Sequence, residues 1–153
     1  MINLNSANEL ERECIEHIYD RLGMSIDCMG KDVEQFKKYI GFFDECVIYQ
    51  PPYTDNHNNV RYSDLSIISK KLGFNIRFEV ASLEKKSNLQ YRVHDLIVQS
   101  KNMPEDVFCL VLVGKGFDNV VKEITPQLEN LEKPTVILRS INEYKEYVDA
   151  LLE

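Results

Sequence analysis

The chain has 153 residues, a length typical of one domain, and 44% of them are hydrophobic, which is enough to bury a core. The formal net charge is −7, which argues against a broad surface for nonspecific phosphate binding and leaves a local basic groove open. We therefore expect a single domain over residues 1–153.

The cysteines and the first residues indicate the cellular setting. The cysteines are far apart without C-x-x-C spacing, and residues 1–5 lack the apolar core of a signal peptide. No segment is long and apolar enough to span a membrane. The sequence predicts a soluble, reduced, cytoplasmic protein without a membrane partner, and it leaves a homodimer open. The cysteines are Cys14, Cys28, Cys46 and Cys109.

The N-terminal third predicts two helices and a strand. Residues 6–9 form a capping box for a helix to about Leu22, with a buried stripe at four-residue spacing. A connector over residues 24–44 contains a short helix from Asp32 to Ile40, and packing is its expected role. A strand over residues 45–50 must end at the following Pro-Pro pair or lie at a sheet edge.

The loop of residues 53–59 is rich in residues that form turns. Most loops of this composition only connect elements. This one directly precedes Arg61 and Asp64, so His57 and Asn58 are placed to contact phosphate or a base edge.

Strands over residues 62–69 and 74–82, with a four-residue turn between them, predict an antiparallel hairpin. Because side chains alternate along a strand, Glu79 and Ala81 share the face that also carries Arg77. We expect this face to be available for chemistry. In the expected register Asp64 approaches Glu79, and two adjacent carboxylates repel each other unless they bind a cation such as Mg²⁺ or Mn²⁺.

The second half predicts alternating helices and strands. Residues 87–90 form a capping box, and the helix after it buries a face that includes Val93 and excludes Arg92. An apolar run at residues 107–113 predicts a central strand. The predicted class is α/β, a mixed sheet flanked by helices. The remaining elements are a helix from Asp118, a strand over residues 134–139 and a last helix capped by Ser140.

Asp64, Glu79 and their surroundings resemble the PD-(D/E)XK nuclease superfamily, in which an Asp, a gap of hairpin length and Glu-x-Lys form the site. The Gln-Pro-Pro-Tyr run at residues 50–53 and the Gly-Lys-Gly-Phe ending of residues 111–117 are similar to one branch. The resemblance spans nearly the whole chain in element order and implies a restriction-endonuclease-like αβββαβ core. It has one departure, because Ala81 stands where the motif lysine is expected.

The resemblance implies a metal-dependent endonuclease that hydrolyses phosphodiester bonds in DNA. Loss of the lysine without a replacement would cost on the order of a hundredfold in rate. The candidates for its charge are Arg92, Lys85 and Lys86. The implied ligands of Mg²⁺ or Mn²⁺ are Asp64, Glu79, the carbonyl of Val80 and, through water, Glu11. The candidate nucleic-acid contacts are Arg61, His57, Asn58, Lys85 and Lys86.

Other interpretations stay open. Glu11, Arg92 and the two lysines are also explained as solvated surface charges. Ala81 and the acidic net charge favour a catalytically inactive module of the same fold that binds nucleic acid or a protein partner. The paired carboxylates favour the enzyme. A third interpretation is a generic α/β domain in which Asp64 and Glu79 never meet.

Overall fold

The computed structural model describes residues 9–82, 86–114 and 118–153. The strands in chain order are β1 (Ser25–Asp27), β2 (Glu45–Tyr49), β3 (Pro52–Thr54), β4 (Val60–Tyr62), β5 (Leu65–Ser69), β6 (Ile76–Ser82), β7 (Val107–Val113) and β8 (Thr135–Leu138). The helices are α1 (Glu9–Glu16), α2 (Val33–Phe42), α3 (Lys86–Asn102), α4 (Asp118–Leu128) and α5 (Ile141–Leu152).

Six of the strands form one mixed sheet with the spatial order β1-β2-β5-β6-β7-β8. The predicted hairpin is present as the antiparallel pair β5–β6, whereas β6, β7 and β8 run parallel to one another. Parallel neighbours need a crossover connection, and α3 and α4 supply it. The predicted α/β class, a mixed sheet flanked by helices, is confirmed.

The side chains of the central strands alternate between two apolar cores. Phe78, Cys109 and Val111 share one core with residues of α1 and α5. Ala81 and Phe108 belong to the other core, together with residues of α2, α3 and α4. The apolar run of β7 is therefore buried on both faces, as expected for a strand in the centre of a sheet.

Strands β3 and β4 form a separate two-stranded ribbon. Gln50 has a φ of 54°, a left-handed conformation, at the point where the chain leaves β2 for the ribbon. Ser63, after the ribbon, donates its backbone N–H to the Pro51 carbonyl at 2.9 Å. This contact ends the ribbon directly before Asp64, so the ribbon controls how the chain enters β5.

Several predicted boundaries were wrong. The connector of residues 24–44 also contains β1, a strand of three residues, which is too short to show an alternating pattern. The first helix ends at Glu16, and a 3₁₀ turn at Tyr19–Arg21 carries the chain onward with Ile18 still buried. The predicted strand over residues 62–69 is divided, because Tyr62 pairs within the ribbon and β5 begins only at Leu65.

The described part of α3 begins at Lys86, and the side chains of residues 87 and 88, which open the predicted capping box, lie outside the described residues. The predicted cap of the last helix is correct: Ser140 accepts a hydrogen bond from the Glu143 backbone N–H at 3.0 Å. The first predicted capping box, residues 6–9, lies mostly outside the described residues.

All four cysteines are buried free thiols. Within residues 9–82, 86–114 and 118–153, none of the helices combines the length and apolarity needed to cross a bilayer.

Candidate functional site

Two buried carboxylates meet where β5 begins. Leu65 pairs with Phe78, so the preceding Asp64 lies beside Glu79 on the neighbouring strand. Asp64 is 8% exposed and Glu79 is 1% exposed, and their carboxyl groups form a side-chain hydrogen bond. The Val80 backbone N–H donates to Oδ2 of Asp64 at 2.6 Å, which fixes the Asp64 side chain. The structure thus brings together the two acids that the sequence paired.

Helix α3 supplies the groups that hold Glu79. Arg92 Nη1 donates to Oε2 of Glu79 at 3.1 Å, and Gln99 Nε2 donates to Oε1 at 2.8 Å. These two residues are seven apart and therefore lie on one face of the helix. The Arg92 side chain is 42% exposed, so its guanidinium spans from the buried acid to the surface. Gln99 was missed in the sequence, although its seven-residue spacing from Arg92 is a signal that could have found it.

A third acid reaches the same place from the opposite side of the sheet. Glu11 on α1 makes a side-chain hydrogen bond to Asp64, and its charge also acts on Arg92. The sequence left open whether Glu11 is a solvated surface residue, and the structure places it against Asp64. We call Asp64, Glu79, Arg92, Gln99 and Glu11 together the carboxylate centre.

The carboxylate centre holds more negative charge than its arginine can balance. Burial, and next the charge of Glu79, raise the pKa of Asp64 from 3.8 to about 7. Burial also raises the pKa of Glu79, and Arg92 opposes this rise. Two acids that hydrogen-bond to each other in a buried place cannot both be ionised without a counter-charge. Near neutral pH the pair therefore holds a proton or requires a cation.

Ala81, at the position of the expected motif lysine, is only 4% exposed and belongs to the apolar core beneath α3. A lysine at this position would bring its ammonium group out of water and into an apolar core. This transfer costs several kcal/mol unless the ammonium is paired with an acid. The positive charge beside the two acids comes instead from Arg92 on α3.

Most of the polar face of β6 is not available for chemistry, contrary to the sequence-based expectation. Arg77 is fully buried and forms an ion pair with Glu105, which is also fully buried. Its Nη1 donates to the Pro51 carbonyl at 3.1 Å and to Ser63 Oγ at 2.9 Å. Nη2 donates to the Pro52 carbonyl at 2.9 Å. This buried ion pair, Arg77–Glu105, ties the start of the ribbon to the sheet.

Among the predicted nucleic-acid contacts, His57 and Asn58 lie on the turn of the ribbon and Arg61 lies on β4. Arg61 pairs with Asp55 at 3.1 Å, and the Asp55 carboxylate also accepts the backbone N–H groups of His57 and Asn59. Asn58, at the turn, is exposed with a φ of 63°. Lys85 lies outside the described residues, and so does the side chain of Lys86, although Lys86 begins α3.

The donor atoms suit a hard divalent cation, because carboxylate and backbone carbonyl oxygens are the ligands that Mg²⁺ and Mn²⁺ prefer. The raised pKa of Asp64 fits this chemistry, since a cation can take the place of the shared proton. Among the described residues, no three His, Cys, Asp or Glu side chains are arranged as a ready metal cage. The two carboxylates are instead held by hydrogen bonds to Val80, Arg92 and Gln99.

Comparison of the chain with protein-family profiles, with curated proteins and with solved structures gives no significant match.

Proposed function

We propose that this protein is a metal-dependent nuclease of the PD-(D/E)XK type that hydrolyses phosphodiester bonds in DNA. The observation that carries the proposal is the meeting of Asp64, Glu79 and Arg92 at the start of β5, with Glu11 against them. The element order agrees with a restriction-endonuclease-like αβββαβ core, in which α1, β2, β5, β6, α3 and β7 are the core elements.

Asp64 and Glu79 are the residues that would hold Mg²⁺ or Mn²⁺, with the Val80 carbonyl and Glu11 as further oxygen donors. When bound, such a cation polarises a phosphoryl oxygen and lowers the pKa of a bound water. Val80 contributes in a second way, because its backbone N–H already orients Asp64.

Arg92 takes the electrostatic role of the absent lysine in this proposal. Its guanidinium is held by Glu79 and remains 42% exposed, so it can reach a phosphate while one of its donors stays on the acid. A guanidinium also presents several N–H groups in one plane, which suits the oxygens of a phosphate. Gln99 is a positioning residue, because it fixes the second oxygen of Glu79.

One observation favours the alternative, a catalytically inactive module that binds nucleic acid or a protein partner. Both oxygens of Glu79 already accept hydrogen bonds, one from Gln99 and one from Arg92. A site built only for structure would also satisfy this acid in that way. That alternative gives no reason for three acids, Asp64, Glu79 and Glu11, to face one arginine, an arrangement that requires shared protons or a cation.

The test is cleavage of supercoiled, linear and single-stranded DNA with Mg²⁺ or Mn²⁺ by the native chain, Asp64→Asn and Glu79→Gln. Both variants keep the size of the side chain and remove its charge, so a fold defect is less of a concern than with alanine. We expect metal-dependent cleavage by the native chain and loss of cleavage in both variants.

Thermal unfolding with and without Mg²⁺ provides an independent readout of the same site. A cation that binds only the folded chain raises the unfolding temperature as its concentration increases. We expect this rise in the native chain and not in Asp64→Asn. No cleavage with either metal, combined with no stabilisation, would refute the nuclease and leave the binding module.

A further inference from the structure

A pocket of about 220 Å³ lies between the ribbon turn and α3. It is smaller than the roughly 300–1,000 Å³ of pockets for drug-sized ligands, so it suits a single flat ring system. Its walls are lined by Asp55, Asn56, His57 and Arg61 from the ribbon, and by Tyr91, His94, Asp95 and Val98 from α3.

The pocket adjoins the carboxylate centre through α3. Tyr91, Asp95 and Val98 are spaced by four and three residues and form one stripe of the helix, next to the stripe of Arg92 and Gln99. The Asp95 charge acts on Glu79, while Arg61 and His94 act on Asp95. One helix thus serves both places, and a molecule in the pocket is a near neighbour of the acids.

The charges of the pocket disfavour a phosphate group. Asp55 and Asp95 both line it, and Arg61, which also lines it, is paired with Asp55 at 3.1 Å. Burial raises the pKa of the Asp95 carboxyl, and Arg61, Arg92 and His94 oppose this rise. A half-buried carboxyl group of this kind is an acceptor for N–H donors. It therefore favours a ligand that is not an anion and that carries an amino group.

Tyr91 adds a flat apolar surface. Tyr91 is 71% exposed, so its ring is accessible to a ligand in the pocket. Nucleobases stack on exposed aromatic rings of this kind, and carboxylates accept hydrogen bonds from exocyclic amino groups. Phosphates alone would use neither feature.

We propose that this pocket holds one unpaired nucleobase, stacked on Tyr91 with its exocyclic amino group donating to Asp95. The inference rests on the proposed nuclease function and specifies its substrate: a single-stranded or locally unpaired segment of nucleic acid. A base inside a continuous duplex is stacked on both faces, so it cannot enter without leaving the helix.

The experiment measures equilibrium binding of a short single-stranded DNA that contains the fluorescent base 2-aminopurine, with EDTA present so that no cleavage occurs. The proteins are the native chain, Tyr91→Ala, Tyr91→Phe and Asp95→Asn. Phe42→Ala serves as the matched control, because Phe42 is also an exposed aromatic residue, at 77%, and does not line the pocket. Phe42 lies shortly before Asp44, which pairs with Lys70 at the end of β5 that is far from Asp64. An RNA strand of the same sequence and the matched DNA duplex complete the comparison.

We expect the native chain to quench 2-aminopurine on binding and to bind the single strand more tightly than the duplex. Tyr91→Ala should weaken single-strand binding on the order of 10- to 100-fold and abolish quenching, because one stacked base is lost. Tyr91→Phe keeps the ring and should bind like the native chain, as should Phe42→Ala. Binding of the RNA strand should depend on Tyr91 in the same way, because stacking of a base on the ring does not involve the sugar.

Equal binding by the native chain and Tyr91→Ala would refute the pocket, and so would absence of single-strand binding by the native chain. These outcomes are separable from failure of the nuclease proposal. Metal-dependent cleavage by the native chain, together with equal single-strand binding by the native chain and Tyr91→Ala, leaves the nuclease and removes the pocket. Binding that depends on Tyr91, in a chain that cleaves nothing with Mg²⁺ or Mn²⁺, keeps the pocket and removes the nuclease.

Discussion

Strand β6 carries one side chain of each of two buried acid–arginine pairs, and the two pairs are built differently. In the Arg77–Glu105 pair both side chains are 0% exposed, and the arginine also donates to Ser63 and to two backbone carbonyls. In the Glu79–Arg92 pair the acid's side chain is buried, whereas the arginine's side chain is 42% exposed. The first pair is closed to solvent, and the second is open on its cationic side.

The difference in charge balance separates a structural pair from a candidate site. One arginine matches one acid in the buried ion pair Arg77–Glu105, and the arginine also donates to Ser63, Pro51 and Pro52. In the carboxylate centre Arg92 faces Glu79, Asp64 and Glu11, so negative charge remains. A balanced buried pair fixes geometry, while an excess of buried acids requires a proton or a cation. Four predictions test this comparison.

Arg77→Met should have the largest effect. It leaves Glu105 as a buried acid without its cation, and breaking a buried pair in this way costs about 3–5 kcal/mol of unfolding free energy. The measurement is equilibrium unfolding in urea near neutral pH. A loss below about 1 kcal/mol would show that the pair does not hold the ribbon to the sheet.

The double variant Arg77→Met with Glu105→Gln is the control for the Arg77 prediction. It removes the unpaired charge together with the cation, so it should recover part of the lost stability. If the double variant is as unstable as Arg77→Met alone, the loss comes from the hydrogen bonds to Pro51, Pro52 and Ser63 instead of from the isolated acid.

Asp64→Asn should make the metal-free protein more stable at high pH. The pKa of Asp64 is higher in the folded chain, about 7, than its ordinary 3.8, so the folded state binds more protons between these values. The native chain therefore loses stability as the pH rises through this window. The Asp64→Asn variant has no carboxyl group to ionise at this position, so it does not lose that stability. At one pKa unit per 1.36 kcal/mol, the gain is at most about 4 kcal/mol at pH 8 and near zero at pH 4.

The measurement for Asp64→Asn is urea unfolding of both chains from pH 4 to pH 8 with EDTA present. Asparagine can keep the hydrogen bond from Val80 and donate to Glu79, so its geometry is preserved. A constant difference over this range would contradict the raised pKa. The same variant is expected to lose cleavage, and greater stability with less activity is the signature of a site that stores unfavourable charge.

The sequence was sufficient for the hairpin and for the pairing of Asp64 with Glu79. Both depend on local information, the alternation along β6 and the length of the turn. The hydrophobic spacing of α3 likewise identified the helix face that is buried. Arg92 lies just off that face, and it became a candidate because members of the resembled superfamily sometimes supply the missing lysine from this helix.

The buried ion pair Arg77–Glu105 could not be predicted from the sequence. Its members are 28 residues apart, and Glu105 lies in a connection with no pattern of its own. The alternation along β6 assigns Arg77 to a polar face of the strand. A polar face can be exposed to solvent or covered by a helix, and the sequence pattern is the same in both cases. The ribbon β3–β4 was missed for a similar reason, since strands of three residues carry almost no periodic signal.

Arg92→Ala should reduce DNA cleavage on the order of a hundredfold, as expected when a well-placed cationic donor is removed. Arg92→Lys keeps the charge without the planar guanidinium and should recover part of the rate. The measurement is the rate under saturating metal and DNA. Unfolding in urea is compared in parallel, because loss of Arg92 also removes one hydrogen-bond partner of Glu79. An unchanged cleavage rate would mean that Arg92 only balances the charge of the acids.

Lys145→Ala should have the smallest effect and provides the exposed reference for the comparison. Lys145 Nζ lies 2.9 Å from Oε1 of Glu13, and the two side chains are 34% and 44% exposed. Water and salt screen such a pair, so its coupling energy should be about 0.2–1 kcal/mol in a double-mutant cycle with Glu13→Ala. The pair joins α5 to α1, the helix that carries Glu11. A coupling energy as large as that of Arg77 with Glu105 would mean that burial does not determine the strength of the ion pairs in this fold. The contrast between the two pairs on β6 would then lose its physical basis.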